Sequence, residues 1–255
     1  MGLWTVGHAK TVLPALAVMI LISCLLRRFL LHRPIRQRMI PLQVIAVFLV
    51  LLEIGKQTVS ASRGYDLYHI PLHVCSLALF TLPAMAFYKG KHANAVRGTA
   101  TGICTAIFLL MLIYPNLIYS EGNIQNFFGD YMDFHTVAFH NAVLLAVLLM
   151  QSLELYCPQK KGEGKSLVIF TAIYCLIAAT AANVLKTNYA NFYSCNIPPL
   201  ETVRLTVAEA IGTGATQVLY AAIVSVLTVL FILGSYHLYC LIASKLRKTA
   251  AIHAE

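Results

Sequence analysis

Seven apolar stretches, at about residues 11–31, 39–58, 67–88, 97–118, 132–153, 167–186 and 215–242, leave little chain between them. A helix rises 1.5 Å per residue, so about 20 residues cross the ~30 Å hydrocarbon core of a bilayer. Each stretch is long enough. In lipid the backbone has to satisfy its own hydrogen bonds, and an α-helix does so within one segment. The sequence therefore predicts an all-α, polytopic membrane protein: one domain over residues 1–255, built as a seven-transmembrane helix bundle. Composition agrees, with 11% charged residues against roughly 25% in soluble domains. The first stretch does not read as a cleaved signal, because no small-residue cleavage site stands out and Arg27 and Arg28 follow it directly.

The loops predict an orientation. Arg27, Arg28, Arg33, Arg36, Arg38, Lys89, Lys91, Arg97, Lys160, Lys161, Lys165, Lys245, Arg247 and Lys248 all fall on one side, 14 of the 19 basic residues. Lys10, Lys56, Arg63, Lys186 and Arg204 fall on the other, with Glu121, Asp130 and Asp133. Basic loops stay cytoplasmic, so the N-terminus is expected outside and the C-terminus in the cytoplasm. The same rule accounts for the net charge of +9. Nucleic acid is not an expected partner, because no basic stripe is interleaved with exposed aromatics. KKGEGK (160–165) reads as a flexible cytoplasmic turn. Residues 200–214 read either as an interfacial helix before the last span or as a continuous helix carrying Glu209 inward.

With this orientation the unusual residues share one layer. Glu53 and Lys56 sit near the outer end of the second span. His69, His73 and Cys75 occupy the outer half of the third. His135, His140 and Asn141 lie at comparable depth in the fifth. Cys75 and His140 are each roughly 12 Å into their spans. Ionisable groups inside a span face a bundle interior or a wet cavity, so an outward-opening polar cavity is expected. Glu53 and Lys56, three residues apart, can also neutralise each other on one helix.

The seven cysteines carry no CxxC pair and outline no disulfide framework. A thiol in an apolar run is usually a small hydrophobe. Cys75 differs by its histidine-rich setting. On a regular helix His73 lies about 200° around from it, so a base for Cys75 has to come from another helix, and His140 has the depth. Such a histidine converts a thiol into a nucleophile. The rival chemistry is zinc held by His69 and His73 at i, i+4 with His135 or His140 added, as in a metal-dependent membrane hydrolase. A transporter or small-molecule binder, moving protons through Glu53 and the histidines, is the other alternative. No nucleotide-binding fingerprint is present and no cofactor is expected.

Three segments carry a resemblance: PLHVC (71–75) opening a span, FHNAV (139–143) in a later one, and TNYANFYSCNIPP (187–199) after the next. In this order they resemble YwaF-like integral membrane proteins, a family related to eukaryotic transmembrane (ether-)phospholipid acyltransferases. The likeness covers most of residues 40–235. It implies that Cys75 carries a fatty acyl group as a thioester before transfer to a phospholipid or lysophospholipid. It also implies that His140 is the base or acid and that Asn188 and Tyr189 are pocket residues. The expected partners are membrane lipids. Substrate-binding residues would be His69, His73, Glu53, Lys56, His135 and Asn141.

Overall fold

A computed structural model describes residues 4–117, 120–158 and 163–252. Ten helices follow in order: α1 (Val6–Leu30), α2 (Ile35–Arg38), α3 (Ile40–Ser62), α4 (Leu77–Phe87), α5 (Ala93–Ile113), α6 (Glu121–Gln125), α7 (Tyr131–Ser152), α8 (Glu163–Leu185), α9 (Pro198–Ile211) and α10 (Thr213–Ile252). Their starts follow local chemistry. Thr5 caps α1 by accepting the His8 N–H, Asp130 caps α7 through the Met132 N–H, and Pro198 and Pro199 open α9.

The centre of the bundle is α5. Of its apolar window 61% is buried, against 17% for α1 and 11% for α10, whose outer faces are large aliphatic side chains turned to lipid. Lipid tails are as apolar as leucine, so helices associate in a membrane by close packing of small residues. The run Gly98 to Ala106 supplies them. A Cβ added at Gly102 would stand 2.7 Å from a Leu167 methyl and 3.1 Å from Tyr236 Cβ, so this glycine lets α8 and α10 approach together.

Side-chain bonds fix which ends lie together. At one end Ser23 reaches Ser152 (2.8 Å), Arg38 donates to the Leu153 carbonyl (2.9 Å), and Tyr156 bridges Glu163 (2.5 Å) and Tyr236 (2.8 Å). At the other, Tyr131 donates to the Leu52 carbonyl (3.0 Å) and Arg63 pairs with Asp130 (2.7 Å). The Met132 N–H and the Arg63 guanidinium hold the Asp130 carboxyl below the usual carboxylate range.

The expectation of seven full helical spans is corrected. Among the described residues six helices are long and apolar enough to cross a membrane; the segment from Val74 to Phe87 is shorter. Residues 67–88 are not one helix. A 3-10 turn at Leu67–His69 gives way to extended backbone at Ile70 and His73 (ψ 133° and 155°), then to a second 3-10 turn at Val74–Ser76 that leads into α4. Pro71 has no N–H and disfavours helical backbone in the residue before it, which accounts for the break. The broken segment still covers the bundle's length. His69 meets Ser60 near the end of α3, and the Ala86 carbonyl accepts from Gln43 near its start, so 67–87 runs antiparallel to α3.

The alternatives for 200–214 are decided by Gly212. Its φ of +88° suits glycine and ends α9 before α10 begins. Arg204 then reaches across to Gln217 (2.9 Å) and Tyr220, closing a helical hairpin, and Glu209 belongs to α9 rather than to the span. The expected turn at 160–165 and the end of the span placed at 97–118 fall partly outside the described residues.

Gly55 lies between Glu53 and Lys56, where Tyr131 passes so closely that an added Cβ would stand 2.0 Å from its hydroxyl. Gly55→Ala is expected to push Tyr131 off the Leu52 carbonyl and to destabilise by about 1–3 kcal/mol. A thermal melt in detergent checks this, and an unchanged melt would contradict the packing described.

Candidate functional site

Glu53 is the hub of the polar layer. Its Oε1 takes Lys56 Nζ at 2.7 Å and Gln57 Nε2 at 2.7 Å. Its Oε2 faces His135 Nε2 at 3.3 Å, close enough for attraction but not aligned as a hydrogen bond. The Glu53 and Lys56 side chains are only 10% and 12% exposed, so each charge needs the other. The i, i+3 neutralisation read from sequence is present. It is extended by two residues the sequence reading passed over: Gln57, which also donates to the His69 carbonyl (2.8 Å), and Ser60, which meets His69 Nδ1 (2.7 Å). Both follow Glu53 at helical spacing, and that was the available signal.

His69 and His73 do not share a helical face. His69 turns to Ser60, whereas His73 donates Nε2–H to the Tyr68 carbonyl (3.1 Å), its ring packed between Tyr68 and Tyr189. The zinc pair argued from i, i+4 spacing does not form. Among the described residues no three His, Cys, Asp or Glu side chains converge as metal ligands. Nor does an α-helical rotation turn His73 away from Cys75, because His73 is extended and Cys75 lies in a 3-10 turn.

His140 is oriented by its own helix. Its Nδ1 lies 2.6 Å from the Thr136 carbonyl, which can only accept, so in the neutral ring Nδ1 carries the proton and Nε2 the lone pair. That Nε2 is buried and has no hydrogen-bond partner among the described residues. His135 and His140 flank Phe139, each ring 5.4 Å from it. Lys56 is close enough to act electrostatically on Cys75, His73, His135 and His140, and its partner Glu53 acts in the opposite sense on His73 and His135.

Cys75 is partly buried at the head of α4. Among the described residues no hydrogen bond joins it to His140; the two belong to one layer without touching through one. Glu53, Lys56, Gln57, Ser60 and His69 are linked in one bonded network. Two open grooves are lined mainly by apolar side chains, about 330 Å³ between α8 and α10 and about 140 Å³ between α3 and α4.

The sequence pattern of the TMEM164 family matches residues 3–236, which takes in this whole layer. The chain belongs to the TMEM164 family. Neither a curated protein nor a solved structure matches it. Membership establishes an integral, multi-pass membrane protein, and the segments 71–75, 139–143 and 187–199 all lie inside the match.

The remaining expected residues separate. Asn141 donates to the Val137 carbonyl of its own helix (2.9 Å). Asn188 organises a loop, accepting the N–H groups of Tyr193 and Ser194 (3.2 Å each). Tyr189 is fully buried and donates to the Leu67 carbonyl (2.5 Å), so it supports the broken segment rather than lining an open pocket. Tyr174 of α8, absent from the sequence reading, donates to the Leu72 carbonyl (2.9 Å). A tyrosine inside an apolar helix has a hydroxyl that must find a partner, and that was its signal.

Proposed function

We propose that this family member is a membrane acyltransferase that moves a fatty acyl group through Cys75 onto a phospholipid or lysophospholipid. The observation that carries this reading is the Nε2 of His140, a buried base whose lone pair meets no hydrogen-bond donor among the described residues. Such an atom is suited to accept the proton of an incoming hydroxyl. The family is generally linked to acyl transfer onto ether lipids, which supports the same chemistry.

Two displacements balance. The Cys75 sulfur attacks the donor ester carbonyl, a C–S bond replaces the C–O bond, and the alcohol leaves with the thiol proton. The acceptor hydroxyl then gives its proton to His140 Nε2 as its oxygen attacks the thioester, and that proton returns to the departing sulfur. In this reading the Lys56 charge favours the negative charge that develops on the Cys75 sulfur. The purified protein incubated with a fatty acyl phospholipid should yield an acyl adduct on Cys75, lost with hydroxylamine and missing in Cys75→Ala. An adduct-free Cys75, with transfer undiminished in Cys75→Ala, would overturn the reading.

The polar layer is proposed to open outward, with the N-terminus outside and the C-terminus cytoplasmic. A reporter active only in the cytoplasm should work when fused after Glu255 and fail when inserted in the 119–130 loop. The reverse pattern would place the layer on the cytoplasmic side.

A further inference from the structure

The backbone of residues 67–73 is not α-helical, a 3-10 turn followed by extended residues, at the level of a membrane-spanning helix, and Gln57 of α3 reaches it at the His69 carbonyl. Non-helical backbone is tolerated at such depth only where side chains or water replace the lost backbone bonds. Here the replacement is specific. His73 takes the Tyr68 carbonyl (3.1 Å), Gln57 the His69 carbonyl (2.8 Å) and Tyr174 the Leu72 carbonyl (2.9 Å), while Tyr189 adds a second donor (2.5 Å) to the Leu67 carbonyl beside the Ile70 N–H (3.1 Å). The partners come from α3, α8 and the turn after α8 as well as from the segment itself.

The two tyrosines are themselves held. Tyr189 is 0% and Tyr174 is 6% exposed. The turn bearing Tyr189 has left-handed backbone at Ala190 and Asn191 (φ 50° and 64°), a conformation that persists only where the surroundings enforce it. They do so here. Tyr220 donates to the Asn191 carbonyl (2.6 Å), Gln217 to that of Phe192 (3.0 Å), and Phe192 is fully buried. The ring of Tyr189 also packs edge-on against His73, 5.6 Å away.

We infer that Tyr174 and Tyr189 are positioning residues for Cys75: they hold residues 67–73 out of the helix so that the sulfur stays in the first turn leading into α4, facing the Lys56 and histidine layer. This rests on the acyl-transfer reading for its purpose and on the four carbonyl bonds for its geometry. Leu72 is three residues before Cys75, so the Tyr174 hydroxyl fixes the chain immediately before the nucleophile.

The test uses the full-length protein in detergent micelles, with Tyr174→Phe, Tyr189→Phe and the double variant; phenylalanine keeps each ring and removes only the donor. Acylation of Cys75 by p-nitrophenyl palmitate, read in a single turnover, should slow about tenfold or more in the double variant. Iodoacetamide, too small to need a positioned sulfur, should label Cys75 as fast as in the wild type or faster. Loss of packing alone would lower the melting temperature without separating the two reagents. A folded double variant acylated within twofold of the wild-type rate overturns the inference. If the wild-type chain is not acylated at all, the acyl-transfer reading fails, and amide exchange decides the positioning role. Exchange at residues 67–76 should then rise about tenfold in the double variant, and unchanged exchange overturns the role. Should the double variant not fold, the Tyr174→Phe variant carries the same comparisons.

Discussion

Cys75→Ala is expected to reduce acyl transfer to the uncatalysed background, and His140→Ala to reduce it roughly 10²–10⁴-fold. The double variant should be no worse than Cys75→Ala alone. Residues that serve one reaction coordinate lose their effect together, so their free energies do not add. His140 has its Nδ1 committed to Thr136 and its Nε2 without a partner, so its removal deletes a base without breaking a side-chain network. His73→Ala, by contrast, removes a donor from the Tyr68 carbonyl and a ring from between two tyrosines, and should cost stability of about 1–3 kcal/mol with a smaller loss of rate. Transfer assays with melting curves on each variant separate the two. An active His140→Ala protein, or additive losses in the double variant, would remove His140 from the chemistry.

The largest stability effect is expected at Glu53. Glu53→Ala strands the Lys56 ammonium inside the bundle, deprives Gln57 of its acceptor and removes the charge that faces His135. Breaking a buried pair by removing one partner costs about 3–5 kcal/mol, chiefly the penalty of the charge left behind. The paired variant Glu53→Gln, Lys56→Gln keeps the volume and removes both charges, so it should recover most of that loss while abolishing the charge that acts on Cys75. Thermal unfolding in one detergent, at one pH, checks both. If Glu53→Ala melts with the wild type, the pair is not the buried hub described here. If the double variant is no more stable than the single, the cost lies in hydrogen bonding and not in charge.

Much of the fold was legible in the sequence, and the reasons are local. Apolar runs of helical length follow from the bilayer's thickness and from backbone hydrogen bonding, and neither requires knowledge of what packs on what. The common depth of Glu53, Lys56, His135 and His140 was readable because a helix converts residue number to height at a constant rise. Residues 67–76 resisted for the same reason. Treated as one helix, they gave His69 and His73 a shared face and turned His73 away from Cys75; Pro71 marked the interruption but not its extent.

What the sequence by itself determined is a membrane bundle with one polar layer carrying a cysteine, histidines and an acid–base pair. Only the tertiary structure decided how that layer is connected. A hydroxyl on α8, an amide on α3 and a buried tyrosine after α8 are far apart in the chain, and their shared task of binding the carbonyls at 67–72 exists only once the helices pack. The same holds for Gly102, whose role depends on Leu167 and Tyr236, and for His140, whose open nitrogen is defined by what surrounds it. Height along a helix is a property of one segment, whereas partnership is a property of several, and the second is fixed by packing.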